Sequence, residues 1–260
     1  MKKLAVIVAC LITSCLFAQS KFQLAPPILI YKSAFIKGAA EVSILFNQPG
    51  ATVHYTLDGT IPTTASEEYT QPLKINGVRQ TLKAKAFGPG YEPSETSSAE
   101  FIGGGKEIRD ITFTPPHESY GKAPANILHD NIGGLPQYGS GSWLGYNVDT
   151  VEINIALNKQ ETISAILLDQ LQDENSWIFL PEKIELYYLD GAKKYVLISS
   201  ILNASLKQGD KHCVVEEIKL QRAIMTDKLK LVIKPVQSIP DWHAGKGQHG
   251  WFFIDEIKVY

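Results

Sequence analysis

Two pairs of adjacent acidic residues are the first places in this sequence where hydrolytic chemistry could take place. Asp173 and Glu174 lie in a segment that reads as a loop, whereas Asp255 and Glu256 lie in the alternating C-terminal run. Adjacent side chains on a strand point to opposite faces, so Asp255 and Glu256 cannot converge on one bond. A retaining glycosidase needs its two carboxyl groups about 5 Å apart across a cleft. We therefore interpret both pairs as structural or solvated carboxylates and predict that the chain is not an enzyme and has no catalytic residues.

A glycine-rich segment offers a second candidate for chemistry. Residues 245–250 (GKGQHG) fit the G-x-G-x-x-G pattern of dinucleotide-binding sites. That site requires a helix N-terminus directly after the glycines, which binds the pyrophosphate. Here the apolar run 251–254 follows, which reads as a strand. We therefore predict a loop without a nucleotide. The sequence has no G-x-S-x-G or H-E-x-x-H motif, and Cys213 lies in a strand pattern rather than in a catalytic Cys/His constellation.

The elements that position these residues read as strands throughout. β-Branched and aromatic residues alternate with polar ones at a period of two, and no long amphipathic helical pattern interrupts them. The sequence therefore predicts an all-β fold. Three consecutive glycines at 103–105 predict a linker, because glycine is costly inside a strand and behaves as flexible chain. The predicted strands include residues 41–46, 52–57, 81–87, 151–155, 183–188, 228–233 and 253–260.

The N-terminus predicts export. Lys2 and Lys3 precede the apolar run 4–17, and residues 18–20 (AQS) offer a cleavage site, so residues 1–20 read as a signal peptide. Two alternatives remain open. Residues 12–15 (ITSC) are similar to a bacterial lipobox, which would leave Cys15 lipidated, and the run could instead be an N-terminal anchor helix. We expect the protein in the periplasm, at the outer membrane surface or outside the cell, touching a membrane only through a lipid anchor.

Composition narrows the possible partners. The formal net charge of −2 argues against a nucleic-acid partner, which would require a basic face. Beyond residue 20 the single cysteine is Cys213, so no internal disulfide can form and the fold must rest on its apolar cores.

Residues 49–62 (PGATVHYTLDGTIP), followed by residues 82–87 and 90–94, carry the first family resemblance. They resemble the core of the small immunoglobulin-like domain that follows the catalytic barrel in bacterial chitobiases and β-hexosaminidases. The resemblance covers residues 26–102 and implies an accessory or spacer domain without chemistry of its own. The expected linker is 103–109.

The remaining residues, 110–260, resemble another accessory module. The segments are 128–131 (LHDN), 139–146 (GSGSWLGY), 176–181 (SWIFLP), 190–191 and 239–260. They are similar to the discoidin-like module, also called the coagulation factor 5/8 type C or galactose-binding-like domain. This implies an immunoglobulin-like sandwich followed by a jelly-roll β-sandwich.

Both modules occur in this order at the C-terminal end of some bacterial family 20 β-N-acetylhexosaminidases. The pair implies an exported carbohydrate-binding protein that recognises a galactose- or N-acetylhexosamine-type glycan. The catalytic barrel that usually precedes them is absent from this sequence. Two alternatives remain, a cell-envelope adhesin that binds protein, or an accessory part of a split β-N-acetylhexosaminidase. Either would partner an envelope protein or a glycoside hydrolase.

The discoidin-like resemblance also implies one structural Ca²⁺ where the first loop meets the last strand. Ca²⁺ prefers six to eight oxygen ligands, both carboxylate and carbonyl. By position, Asp130 and Glu256 would supply carboxylates, and backbone oxygens near Leu128 and Gly133 could supply others. The alternative is that Asp130 forms a turn and Glu256 makes a backbone contact.

Four tryptophans are candidates for stacking against a sugar ring. Trp143 and Trp251 have apolar neighbours and are expected to pack in the core. Trp242 lies in the most polar, glycine-rich loop and is the expected sugar platform. The other predicted ligand-binding residues are His243 and Asp241 as hydrogen-bonding partners, Trp177, and more weakly Lys246 and His249.

Overall fold

The computed structural model describes residues 21–203 and 212–260. Within these ranges the protein consists of fourteen strands joined by loops and short 3-10 turns, which confirms the predicted all-β fold class. The predicted signal peptide, with Cys15, lies outside the described residues and stays a prediction. In the part of the chain that is described, no helix is long and apolar enough to cross a membrane.

The first domain is a small sandwich of two antiparallel sheets. Between the sheets lie Val42, Leu82 and Phe101, which are fully buried. Leu82 belongs to a strand whose apolar residues alternate with lysines, as the sequence pattern predicted. One sheet contains β1 (Ile28–Ile30), β2 (Ala40–Leu45) and β5 (Leu73–Ile75), and the other contains β4 (Glu67–Glu68), β3 (Thr52–Thr56), β6 (Arg79–Phe87) and β7 (Ser97–Ile102).

The second domain is built from one seven-stranded antiparallel sheet with the strand order β12-β11-β13-β10-β14-β9, in which β8 also pairs with β10. Four 3-10 turns connect the strands at Glu118–Tyr120, Ile127–His129, Tyr138–Ser140 and Glu174–Ser176. The strands are β8 (Ile108–Phe113), β9 (Leu144–Tyr146), β10 (Val151–Gln172), β11 (Lys183–Leu189), β12 (Tyr195–Leu202), β13 (His212–Lys234) and β14 (Phe252–Val259).

Two very long strands turn this sheet into a sandwich. The register between β10 and β13 shifts between Ala156 and Glu161, and the first half of β10 pairs with β8 whereas the second half pairs with β14. Such irregularities bend a strand. Side chains from both halves, such as Ile153 and Leu168, enter one buried cluster, so the halves face each other across a shared core.

The glycine segment between the domains is held on both sides. The Gly103 N–H donates to the Val78 carbonyl, and the Lys106 N–H donates to the Val259 carbonyl. Strand β8 begins at Ile108, inside the segment 103–109 that the sequence predicted as a linker. Glycine composition predicted a loosely held chain here. In the structure, the backbone N–H groups of this segment form hydrogen bonds to β14 and to the first domain, because the two domains are in contact.

The contact between the domains has an apolar centre and a polar edge. Phe35 of the first domain packs with Ile102 and with Leu167 of β10, and all three are buried. At the edge, Arg79 forms an ion pair with Glu217 of β13, with 3.1 Å between Nη1 and Oε2. The two domains therefore share a small hydrophobic cluster.

Candidate functional site

A pocket lined by aromatic rings opens where three loops of the second domain meet the start of β14. Its volume is about 240 Å³. Tyr120 and Tyr138 come from two of the 3-10 turns, Trp177 follows the turn Glu174–Ser176, and the start of β14 supplies its floor. The lining residues are Tyr120, Tyr138, Asn175, Ser176, Trp177, Ile178, Trp251 and Phe253.

Tyr120 is the centre of the ring contacts. Its ring centroid lies 5.2 Å from Trp251 and 5.0 Å from Phe253, and the rings meet edge to face. Tyr138 meets Tyr120 in the same way at 6.1 Å. Edge-to-face contacts are favourable because the positive ring edge approaches a negative ring face. They hold these side chains in fixed positions around the cavity, so an apolar wall is ready before any ligand arrives.

The loop before Trp177 places its ring at the other side of the pocket. Trp177 has a φ of 64°, which an L side chain rarely adopts, and its N–H donates to the Glu174 carbonyl at 2.8 Å. Its own carbonyl accepts from the Trp251 N–H at 2.7 Å. A left-handed tryptophan costs on the order of 1–3 kcal/mol and persists where its surroundings enforce it, often at a functional site. The strained backbone of Trp177 therefore lies at the same place as the aromatic lining of the pocket.

The acidic pair Asp173 and Glu174 supports this loop. Both residues are buried, and Asp173 Oδ2 accepts a hydrogen bond from the Ser176 hydroxyl at 2.7 Å. Glu174 Oε1 accepts from the side-chain amide of Gln172. Of the two interpretations made from the sequence, structural or solvated, the structure places this pair in the structural class, since it holds the turn that carries Trp177.

The predicted platform, Trp242, lies in the neighbouring loop 241–250. Its side chain is 44% exposed, and its ring contacts those of His243 and Phe179 edge to face. The ring of His243 also lies 6.0 Å from that of Trp177. The structure therefore brings three predicted residues, Trp177, Trp242 and His243, into one aromatic cluster next to the pocket.

Both ring nitrogens of His243 are engaged by backbone groups. Nδ1 accepts from the Gly245 N–H at 2.9 Å, so Nε2 carries the proton and donates to the Glu174 carbonyl at 2.7 Å. His243 thus fastens the loop to the turn below it. Asp241 and Lys246 are exposed in the same loop. His249 is exposed as well, and its Nδ1 lies 3.8 Å from the Asp149 carboxylate.

Sequence reasoning missed part of the pocket. Tyr120 and Tyr138 were not candidates. Trp251 was expected in the core: it is partly buried and packs against the core cluster that contains Trp143 and Phe253, but it also lines the cavity. Trp143 does lie in the core, with 1% of its surface exposed and its Nε1 donating to the Leu135 carbonyl. The sequence feature that could have identified Tyr138 is the run of glycines and serines at residues 139–142, since this segment is as polar and as rich in turn residues as the loop that carries Trp242.

A cluster of buried carboxyl groups lies next to the loop 131–134. Burial raises the pKa of Asp169 to about 7. Burial together with the charges of Asp169 and Glu256 raises the pKa of Asp255 to about 9, and burial raises that of Glu256 to about 8. One oxygen of each of these three side chains finds no hydrogen-bond partner among the described residues.

The expected calcium ligands Asp130 and Glu256 belong to this region, and their oxygens face N–H donors. Asp130 Oδ1 accepts from the Ile132 N–H at 2.8 Å, and Glu256 Oε2 accepts from the Asn131 N–H at 2.9 Å. In residues 21–203 and 212–260, no three acidic, histidine or cysteine side chains are grouped as a metal site. Ca²⁺ requires six to eight oxygens around one point. The two hydrogen bonds correspond to the alternative interpretation, in which Asp130 forms a turn and Glu256 makes a backbone contact, and a Ca²⁺ ion at these residues stays a prediction.

In the comparison with known proteins, a family model matches the first domain only. No curated protein matches the chain. Among solved structures, the family 32 carbohydrate-binding module from Streptococcus pneumoniae EndoD has 18% identity, covers 59% of this chain and 94% of its own, and gives a TM-score of 0.38.

Two other modules are similar to the same degree. CBM32-1 from a family 31 glycoside hydrolase of Clostridium perfringens has 16% identity and a TM-score of 0.37, with 58% of this chain and 94% of that chain covered. The CBM32 of AlyQ, in complex with 4,5-unsaturated mannuronic acid, has 10% identity and a TM-score of 0.38, with 60% and 98% covered. The family model of the chitobiase/beta-hexosaminidase C-terminal domain matches residues 32–98, within the first domain and over the motif that predicted it.

Proposed function

We propose that the protein is an exported, non-catalytic carbohydrate-binding protein and that the aromatic pocket holds the sugar. The observation that carries the proposal is the set of rings from Tyr120, Tyr138, Trp177 and Trp251 around one open cavity. An aromatic ring offers a flat apolar surface to the C–H face of a pyranose. The polar side chains of the lining, above all Asn175, can bond to its hydroxyl groups.

The neighbouring loop extends this surface. Trp177 lines the pocket and also meets His243, which in turn contacts Trp242. One sugar residue of a glycan could then occupy the pocket while the next sugar residue packs against Trp242. Asp241, Lys246 and His249 are exposed in this loop, where they can reach glycan hydroxyl groups. This arrangement suits an oligosaccharide better than a single sugar, because each shallow subsite contributes little affinity.

The glycan class follows from the family resemblance of the second domain, which implies a galactose- or N-acetylhexosamine-type ligand. A shallow aromatic site of this kind binds with a Kd of roughly 0.1–10 mM. Attachment through Cys15 to a membrane, or association with a glycoside hydrolase, would raise the effective affinity through multivalency. Export and lipidation belong to the proposal rather than to the findings, because they rest on the predicted signal peptide alone.

Calorimetry and a glycan array test the proposal. We expect galactose, N-acetylgalactosamine or N-acetylglucosamine oligosaccharides to bind in the millimolar range or more tightly. We expect Trp251→Ala to abolish the binding heat in calorimetry and Trp242→Ala to weaken the binding of longer glycans only. Tyr195→Ala, on the exposed edge strand β12, is the matched aromatic control and should bind normally. Absence of binding at about 10 mM of every sugar would contradict the proposal.

A protein partner is the second candidate, and one observation favours it. Ile28, Ile30 and Leu45 are all more than half exposed on the first domain, and Ile28 lies opposite Leu45 in the pairing of β1 with β2. Adjacent exposed apolar side chains often mark a protein contact. Capture of an envelope protein or a glycoside hydrolase that competing sugar does not release, and that Ile28→Ser weakens, would support this role.

A further inference from the structure

A lysine side chain lies buried where the two domains meet. Lys258 of β14 is 6% exposed, and its ammonium nitrogen donates to the Gly104 carbonyl at 3.2 Å and to the side-chain oxygen of Asn131. Gly104 belongs to the segment between the domains, and Asn131 belongs to the loop of the second domain between the turns that carry Tyr120 and Tyr138. One cation therefore joins the last strand, that loop and the inter-domain segment.

Asn131 and Glu256 complete this arrangement. Asn131 has a φ of 66°, and its N–H donates to Glu256 Oε2 while its side-chain oxygen accepts from Lys258. Glu256 and Lys258 are two residues apart on β14, so their side chains leave the same face of the strand. Glu256 and Lys258 both form hydrogen bonds to Asn131, one to its backbone N–H and the other to its side-chain oxygen.

We propose that the ammonium group of Lys258 occupies the place of a structural divalent cation, so that this chain locks its domain junction without Ca²⁺. Lys258 lies on the last strand, two residues after Glu256, and its ammonium group contacts Asn131, which follows Asp130 in the loop. Glu256 and Asp130 are the two residues that were predicted to bind the metal. Two oxygen acceptors at this junction, the Asn131 side chain and the Gly104 carbonyl, are already engaged by N–H donors of Lys258. A divalent ion beside a buried ammonium would be strongly repelled.

An internal cation of this kind also needs fewer ligands than Ca²⁺. An ammonium group offers three N–H donors and forms hydrogen bonds at ordinary distances, so it needs two or three acceptors rather than six to eight. The junction is further closed by the Tyr260 hydroxyl, which donates to the Gly103 carbonyl at 2.6 Å. Lys258 and Tyr260 therefore fasten successive glycines of the inter-domain segment to the end of β14.

Thermal melting of the full mature chain tests the proposal without any variant. We expect the Tm of the wild-type protein to be unchanged by a chelator and by millimolar Ca²⁺ added afterwards. We expect calorimetry to detect no Ca²⁺ binding. A Tm that falls with the chelator and recovers with Ca²⁺ would overturn the proposal, because ligands that bind the native state alone raise its stability.

Variants at Lys258 test the role of the charge. Lys258→Met, of similar length but neutral, should lower the Tm by several degrees, whereas Lys258→Arg should recover most of the loss. Lys228→Met removes an exposed lysine of β13 and is the matched control, with no change expected. A Lys258→Met protein as stable as the wild type would contradict the proposal.

Chemical rescue separates a missing cation from a packing defect. In Lys258→Ala, we expect a short alkylammonium ion to restore part of the Tm, and an alcohol of the same length to leave it unchanged. Equal effects of the two additives would mean that the side chain fills space rather than supplies charge. If Lys258→Ala does not fold, the wild-type chelation experiment and Lys258→Arg still decide between the internal cation and a bound metal.

Discussion

The indole ring of Trp177 lies directly over Gly245, so that a Cβ atom added to this glycine would stand 2.9 Å from Cε2 and Cζ2 of the ring. Trp177 lines the aromatic pocket, and Gly245 belongs to the loop that carries Trp242. Packing of one ring on one backbone therefore connects two surfaces that lie 68 residues apart in the sequence. The G-x-G-x-x-G pattern that first suggested a nucleotide site has a glycine here because an indole needs the space.

Gly245→Ala is the first prediction. The added methyl group must displace Trp177, whose backbone already holds an unusual conformation, so we expect a loss of about 1–3 kcal/mol in the free energy of unfolding. Sugar binding should weaken as well, because Trp177 moves. Gly191→Ala is the control, since a Cβ at Gly191 meets nothing within 4 Å. Denaturant titration measures the first effect and calorimetry the second. Equal stability of the two variants would contradict this view of the contact.

Tyr138 and Trp143 should separate binding from folding. Tyr138 is partly exposed at the mouth of the pocket, so Tyr138→Ala should reduce sugar affinity severalfold with little change in stability. Trp143 is fully buried, so Trp143→Ala should cost about 3–5 kcal/mol and leave the affinity of the folded fraction nearly unchanged. Chemical denaturation and calorimetry on both variants give the comparison. The opposite pairing of effects would show that the pocket is not the binding surface.

The fold was predictable where the side-chain pattern has a period of two. Residues 81–87 alternate, and the structure has Leu82 buried on one face of β6. Strands β10 and β13 were predicted only in pieces, because the bends in these long strands come from register shifts that depend on the partner strand. Pairing partners distant in sequence set those shifts, and a local pattern carries no information about them.

The candidate site was predictable in part, for a related physical reason. A polar, glycine-rich loop singled out Trp242 and His243, whose rings are in contact, whereas the apolar flanks of Trp251 indicated its core packing but not its place in the pocket. Local sequence shows what surrounds a residue along the chain. It does not show that a cavity opens between Trp251 and two loops from elsewhere. In the same way, nothing near Lys258 in the sequence indicated that Gly104 and Asn131 would receive its ammonium group.

Phe35 should hold the two domains together. It is 3% exposed and packs on Ile102 and Leu167, so Phe35→Ala should cost about 3–5 kcal/mol if the domains unfold as one unit. Phe22→Ala removes the same side chain from a site that is 84% exposed and is the matched control. We expect Phe35→Ala to lower the Tm and to make the segment 103–109 more sensitive to limited proteolysis. Cleavage at the same rate in both variants would mean that Phe35 does not couple the domains.

The buried carboxyl of Asp169 should make stability depend on pH. Burial raises its pKa to about 7, and the titratable groups that interact with it are Asp255 and Glu256 on β14 and the thiol of Cys213 on β13. The folded state therefore keeps a proton that the unfolded chain releases near pH 4. Its contribution to stability is fully present below about pH 4 and is lost as the pH rises to about 7, by at most about 4 kcal/mol.

Asp169→Asn removes this dependence, because the amide is neutral at every pH and nearly the same shape as the protonated acid. At about pH 4 the variant should melt close to the wild-type protein, and at about pH 8 it should melt several degrees higher, since the wild type then carries a charge in a buried site. Asp149→Asn, at a largely exposed aspartate, should follow the wild type at both values. Circular dichroism melts across this range measure the difference. A gap between Asp169→Asn and the wild type that stays constant with pH would show that the side chain acts through packing, because a constant offset cannot arise from a group that titrates within the range.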